Sequence, residues 1–91
     1  MIGKYVVVRT YSAGVHIGTL QSQTGTEVRL ANARRIWCWY GANTLSEVSQ
    51  KGIGDGSRVS ELVPEIMLTE AVEVIPCSAE AQSNLDKARW P

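Results

Sequence analysis

The first half of the chain carries apolar and β-branched residues in short runs. Turn residues at positions 12–14, 23–25 and 32–33 separate these runs. Alternation of apolar and polar positions within each run is typical of β-strands, and it directs Val28 and Leu30 inward in the third run. The pattern therefore predicts an antiparallel meander of four strands, over residues 4–10, 15–21, 26–31 and 34–40.

A helix start follows the fourth predicted strand. Thr44 and Glu47 have the spacing of a capping box, in which the threonine hydroxyl and the glutamate carboxylate each bind a backbone amide. We expect a helix of about two turns that ends at Lys51, with Gly52 in the left-handed conformation beyond it. The glycine-rich loop at 54–57 lacks the Gly-Lys-Ser/Thr end of a phosphate-binding P-loop, which favours a mobile surface loop.

The last third of the chain predicts further strands and a second helix. Residues 59–63 are ambiguous, and Pro64 is expected to interrupt the chain before one or two strands over 66–68 and 71–75, up to Pro76. Ser78 can cap a helix whose apolar side contains Ala81, Leu85 and Ala88, with Trp90 as an extension. The pattern as a whole predicts a single small α+β domain over residues 1–91: an antiparallel sheet of about five to six strands, starting as a meander, with two short helices.

Composition narrows the class of protein. The chain has 91 residues, of which 44% are hydrophobic, and its nine basic residues balance nine acidic ones. Such a short chain buries only about 60% of its unfolded surface, so we expect homo-oligomerisation to supplement a thin core. Zero net charge disfavours duplex nucleic acid as a partner. No apolar run is long enough for a membrane span and the start lacks a signal-peptide pattern, so we expect a cytosolic protein.

The residues that most often carry catalysis or bind metals are scarce. Cys38 and Cys77 lie far apart in the chain, and His16 is the single histidine. This set predicts no metal site and no cofactor, and the two cysteines are expected to be buried small side chains rather than a disulfide. An enzyme acting on nucleotides would depend on His16 and nearby acids alone, so we expect a protein that is not an enzyme.

The segment at 34–40 is the most unusual part of the sequence. On a strand, Arg35, Trp37 and Trp39 would share one face, with the two indoles about 7 Å apart. Indole faces beside a guanidinium suit a planar ring that bears an anion, because the ring stacks while the arginine holds phosphate. A nucleotide-like ligand fits this description. The predicted ligand-binding residues are Arg34, Arg35, Trp37 and Trp39, with Tyr40, His16 and Lys51 as secondary hydrogen-bonding candidates.

A purely structural explanation of the same segment is also open. Two tryptophans in a thin core are simply its largest side chains, with the arginines extending to solvent at the edge. The two explanations differ in whether the indoles face a cavity or are enclosed by packing.

Three segments resemble a known family in the same order. Residues 5–18, residues 33–42 with Leu45 and Ser46, and residues 69–77 resemble small uncharacterised proteins encoded by tailed bacteriophages and prophages. The resemblance covers roughly residues 4 to 80 and brings no catalytic motif. It implies a context in which small proteins serve as virion components, regulators of host enzymes or inhibitors of bacterial immunity. One group of such inhibitors consists of homo-oligomeric sponges that sequester nucleotide signals.

Residues and resemblance together lead to one expectation and one alternative. We expect a non-enzymatic phage-encoded binding protein that sequesters a nucleotide-like signalling molecule in the host cytoplasm as an anti-defence sponge. The alternative is a phage protein that binds a host protein or serves as a minor virion or assembly component.

Overall fold

The computed structural model describes residues 1–89, and in this range the chain forms one antiparallel sheet and two short helices. The predicted α+β class is confirmed. Trp90, the predicted extension of the last helix, lies outside the described residues. In chain order the elements are β1 (Tyr5–Thr10), β2 (Val15–Thr24), β3 (Glu27–Cys38), α1 (Leu45–Lys51), β4 (Arg58–Val59), β5 (Val63–Leu68), β6 (Ala71–Pro76) and α2 (Ala79–Lys87).

The sheet begins as the predicted meander of β1, β2 and β3. Both β4 and β5 then pair with β3, while β6 returns to pair with β1 on the other side of the meander. The consecutive strands β5 and β6 therefore extend opposite sides of the sheet. Because residues from these distant strands pack in one cluster, the sheet curls around its own apolar face.

Each face of the curled sheet carries its own apolar cluster. The inner cluster, inside the curl, consists of Val6, Val8, Leu20, Val28, Leu30, Ala33 and Leu68. The helix-side cluster lies on the opposite face, where α1 and α2 cover it, and consists of Val7, Ile17, Ile36, Val48, Ile53, Val59 and Leu85. Because β1 is buried on both faces, it reads as an unbroken run of three valines instead of alternating with polar residues.

The third and fourth predicted strands are a single strand, β3, so the predicted break at 32–33 is wrong. Asn32 adopts a positive φ of 50°, and the pairing register with β2 shifts at this point. The chain thus makes a β-bulge where a turn was predicted, and asparagine tolerates the left-handed backbone that the bulge requires. Gly18 makes room for it on β2, because a Cβ there would lie 2.9 Å from the Ala31 carbonyl oxygen.

The prediction for Pro64 is also wrong, because this residue lies inside β5 instead of interrupting the sheet. In the pairings of the described strands, β5 joins the sheet through β3, and Pro64 itself is exposed. A strand at the edge of a sheet accepts proline, since no further neighbour needs the missing amide. The predicted end of β6 at Pro76 is confirmed.

Both helices begin at the predicted caps. The Thr44 hydroxyl accepts a hydrogen bond from the Glu47 amide at 3.2 Å, and the Glu47 carboxylate accepts one from the Asn43 amide at 2.9 Å. Gly52 follows α1 with a φ of 85°. The Ser78 hydroxyl accepts from the Ala81 amide at 3.0 Å. The two helices contact each other and cover the helix-side cluster.

Candidate functional site

The end of β3 carries the row of side chains from which the candidate site is built. Ala33 belongs to the inner cluster, and strand alternation places Arg35 and Trp37 on the same face, farther along the strand. His16 of β2 lies opposite Arg35 in the antiparallel register. The row therefore runs from the apolar interior of the curled sheet to a cation and then to an aromatic ring.

A cavity of about 220 Å³ opens at this end of the inner cluster. It brings together three of the residues predicted from the sequence, His16, Arg34 and Arg35. The open end of a curled sheet is a usual place for a ligand, because the strands hold the side chains around it rigidly. The remaining lining residues are Ala33, Ser60, Glu61, Val63 and Ile66.

Arg34 has a structural role that the sequence did not predict. It is 9% exposed, and its Nε donates a hydrogen bond to the Ser60 carbonyl at 2.9 Å. Its Nη1 donates to the Leu85 carbonyl at 3.0 Å, and its Nη2 donates to the Ala88 carbonyl. The guanidinium thus ties β3 to the end of α2, where a cation is electrostatically favourable. Of the two predicted phosphate-binding arginines, Arg35 is the exposed one.

His16 is a neutral hydrogen-bonding group in this site. Its ring is 1% exposed, and Nε2 lies 2.9 Å from the Ala13 carbonyl oxygen. Since a carbonyl only accepts, Nε2 carries the proton of the neutral ring and Nδ1 is the acceptor. Burial lowers the pKa of His16, and the charge of Arg35 lowers it further, although the Ala13 bond acts in the opposite direction. His16 therefore adds no positive charge to the cavity at neutral pH.

Trp37 is the exposed aromatic residue of the site, with 62% of its surface accessible. The guanidinium carbon of Arg58 lies 5.5 Å from the centre of its ring, a cation–π arrangement. Arg58 was missed in the sequence because it falls between the glycine-rich loop and a segment with no clear pattern. Only the tertiary structure identifies it, because β4 pairs with the end of β3 and brings Arg58 beside Trp37.

Trp39 does not share the environment of Trp37, so the predicted pair of indoles is wrong. β3 ends at Cys38, and Trp39 packs against the helix-side cluster together with Ile36, which alternation had assigned to the other face. Its Nε1 donates a hydrogen bond to the Ala42 carbonyl at 3.2 Å. Trp39 lines a separate cavity of about 330 Å³.

The two other secondary candidates lie away from the cavity. Tyr40 is 58% exposed beside the glycine-rich loop, and its amide donates a hydrogen bond to the Ser57 hydroxyl at 2.9 Å. Lys51 is exposed at the end of α1, the helix that covers the opposite face of the sheet. We define the β3 site as Arg35, Trp37 and Arg58 with the cavity beside His16, which is lined by Arg35 but not by Trp37 or Arg58.

The glycine-rich loop lines a larger cavity of about 590 Å³ against α2. Asp55 and Glu80 line it together with Lys87 and Arg89, so its charges are mixed. This lining does not favour the binding of phosphate over other groups.

Among residues 1–89, no group of three or more His, Cys, Asp or Glu side chains is placed to hold a metal ion. Neither described helix has the length and apolar character needed to cross a membrane. Cys38 and Cys77 are free thiols, and burial raises the pKa of Cys77 to about 11.

Comparison with known proteins assigns the chain to a sequence family. No curated protein and no solved structure matches it. Residues 3–85, which include every residue of the β3 site, match the model of a family described as a domain of unknown function, DUF6948. The chain belongs to the DUF6948 family.

Proposed function

We propose that this protein is a non-enzymatic binding protein that sequesters a nucleotide-like anion at the β3 site. In this proposal Trp37 stacks on the base, while Arg35 and Arg58 hold phosphate. Nδ1 of His16 accepts a hydrogen bond from a ribose hydroxyl or from a protonated phosphate oxygen. The observation that carries the proposal is the cation–π pair of Arg58 with the 62% exposed indole of Trp37, two residues beyond the exposed Arg35 on β3.

The charge of the β3 site favours an anion. Arg35 and Arg58 contribute two positive charges, and neutral His16 contributes none. Arg34 also lines the cavity, and Glu61 is the acidic side chain among the cavity residues, so the three arginines of the site leave two positive charges in excess. This local excess occurs in a chain whose net charge is zero, and it favours the binding of an anion at this site.

Sequestration of the ligand requires non-covalent contacts and no catalysed reaction. Stacking of a base on an aromatic ring contributes about 1–3 kcal/mol, and a hydrogen bond to a charged group contributes roughly 1.5–3 kcal/mol. One stacked base with two charged contacts therefore contributes about 4–9 kcal/mol, from which an association cost of at least about 4 kcal/mol is subtracted, so these contacts alone provide submillimolar affinity at best. The resemblance to phage proteins supports the biological setting: a phage-encoded sponge, acting as a homo-oligomer in the host cytoplasm against nucleotide-signalled immunity.

Isothermal titration calorimetry with cyclic di-AMP, cyclic di-GMP, ADP-ribose and AMP tests this function. We expect at least one of these probes to bind the wild-type protein, and Trp37→Ala and Arg35→Ala each to weaken that binding by about tenfold or more. Native mass spectrometry of protein purified from producing cells reports the subunit number and any retained ligand in the same experiment.

Two matched substitutions control for non-specific effects. Arg29→Ala removes an arginine from the same strand, one that pairs with Glu65 at 3.1 Å, and Tyr11→Ala removes an aromatic side chain that is 81% exposed. Both variants should bind as the wild type does. Binding that survives in both Trp37→Ala and Arg35→Ala contradicts the proposed site, and recovery of a chemically altered probe contradicts the non-enzymatic assignment.

A second candidate function is supported by a different surface. Val63 and Met67 on the edge strand β5, with Leu62 just before it, are exposed large apolar side chains. An edge strand with apolar side chains is suited to protein contacts. In this alternative the protein binds a host protein or serves as a minor virion or assembly component. Its presence in purified virions, with loss of incorporation in Met67→Glu, supports this alternative over nucleotide capture.

A further inference from the structure

The cavity lined by Trp39, away from the β3 site, combines an apolar wall with an ion pair. The Trp39 cavity has a volume of about 330 Å³, at the lower end of the roughly 300–1,000 Å³ typical of ligand pockets. Residues of β1, β2 and β6, of the first turn of α1 and of the segment before it line this cavity. They are Arg9, Val15, Trp39, Thr44, Leu45, Ser46 and Glu73.

The indole of Trp39 is the fixed apolar wall of this cavity. It packs against the helix-side cluster, and the hydrogen bond from Nε1 to the Ala42 carbonyl sets the direction of the ring. Val15 and Leu45 pack against the same cluster and extend the apolar wall. A ligand in this cavity therefore meets an aromatic side chain whose ring is held by a hydrogen bond.

The polar side of this cavity is an ion pair at the surface of the sheet. Arg9 and Glu73 are directly paired in the register of β1 and β6, and Nε of Arg9 lies 3.1 Å from Oε1 of Glu73. Each side chain is about half exposed, at 54% and 46%, so donors and acceptors of both groups stay available to a ligand. The pair carries no net charge, and the Glu73 carboxylate repels phosphate.

We infer that the Trp39 cavity is a binding site for a neutral pyranose sugar. The C–H face of a pyranose is weakly positive and packs on the negative face of an indole. Its vicinal hydroxyls both donate and accept, which matches a carboxylate and a guanidinium held side by side. The hydroxyls of Thr44 and Ser46 add further polar contacts. A nucleotide anion does not fit this pattern, so this site is separate from the proposed function and independent of it.

Saturation-transfer-difference NMR with the methyl glycosides of glucose, galactose, mannose and N-acetylglucosamine tests the inference. We expect transfer to the ring C–H protons of at least one glycoside in the wild-type protein. Glu73→Gln should weaken its binding about tenfold, because a charged acceptor is lost while the surface fold tolerates the change. Trp39→Leu, which keeps an apolar side chain in the helix-side cluster but removes the aromatic face, should weaken it by a similar factor.

The matched control is Glu65→Gln, which breaks the other surface ion pair, between Arg29 and Glu65, with the same separation of 3.1 Å. Sugar binding should be unchanged in this variant. Comparison of each glycoside with its trisaccharide separates two sources of the same chemistry, since tighter binding of the trisaccharide indicates a polymeric glycan and equal binding indicates a free sugar. The inference is overturned by absence of transfer from all four glycosides, or by unchanged transfer in Glu73→Gln or in folded Trp39→Leu.

Discussion

Arg34→Lys tests whether the buried guanidinium holds the fold together. In the wild type, three nitrogens of the planar group donate to three carbonyls, those of Ser60, Leu85 and Ala88. The compact ammonium of lysine cannot span three carbonyls arranged around a planar fork, so we expect it to keep one of these bonds. The substitution thus removes two hydrogen bonds from a charged donor and leaves two carbonyls of the native state without their partner.

The expected loss follows from the hydrogen bonds removed. At about 1.5 kcal/mol for each bond to a charged group, two lost bonds lower the free energy of unfolding by about 3 kcal/mol. For a domain of this size, 1 kcal/mol corresponds to roughly 4–8 °C in Tm, so the expected decrease in Tm is about 12–24 °C. Urea denaturation followed by circular dichroism measures the free energy, and calorimetry measures Tm.

The neighbouring residue provides the control for this experiment. Arg35→Lys changes an exposed arginine on the same strand, and its free energy of unfolding should stay within about 0.5 kcal/mol of the wild type. Hydrogen exchange adds a local readout, because the amides at the end of α2 should exchange faster in Arg34→Lys alone. A stability of Arg34→Lys within 0.5 kcal/mol of the wild type would refute the reasoning. If nucleotide affinity fell while stability did not, Arg34 would be a ligand-binding group instead.

Three further predictions concern pH, the bulge and the first helix. The folded-state pKa of His16 lies below the ordinary 6.5, so the contribution of the neutral ring to stability is complete above pH 6.5 and is lost as the pH falls below that value. The free energy of unfolding in urea should therefore decline from about pH 7 to 5, and His16→Gln should reduce that decline. Gly18→Ala places a Cβ 2.9 Å from the Ala31 carbonyl oxygen and should lower the free energy of unfolding by about 1–3 kcal/mol. An unchanged urea midpoint would mean instead that the bulge in β3 can move aside. Thr44→Ala removes the hydroxyl that accepts from the Glu47 amide and should cost about 1 kcal/mol in the same assay, with an equal stability of both proteins contradicting the capping role.

Strand β3 shows where local sequence patterns stop being informative. Asparagine with a positive φ occurs in turns and in bulges alike, so the residues around Asn32 predict a break in either case. What decides between them lies on β2, where Gly18 leaves space for the displaced backbone of β3. The sequence contains both residues, but their contact depends on the pairing of the two strands.

In the candidate site, too, some features follow from the local sequence and others depend on tertiary contacts. The shared face of Arg35 and Trp37 follows from strand alternation, which is a local property. Trp39 departs from it because β3 ends at Cys38 and the chain turns toward α1 over the helix-side cluster. Arg58 reaches Trp37 only through the pairing of β4 with β3.

By itself, the sequence determined the α+β class, the meander, the caps of both helices and the cationic and aromatic character of the end of β3. These features depend on backbone preferences and side-chain alternation within a few residues. Only the tertiary structure decided that Arg34 binds the end of α2, that the two indoles lie in different environments and that the sheet curls around the inner cluster. Each of these depends on contacts between residues far apart in the chain, such as Arg34 and Leu85, which are 51 positions apart and meet only once the sheet and α2 have packed.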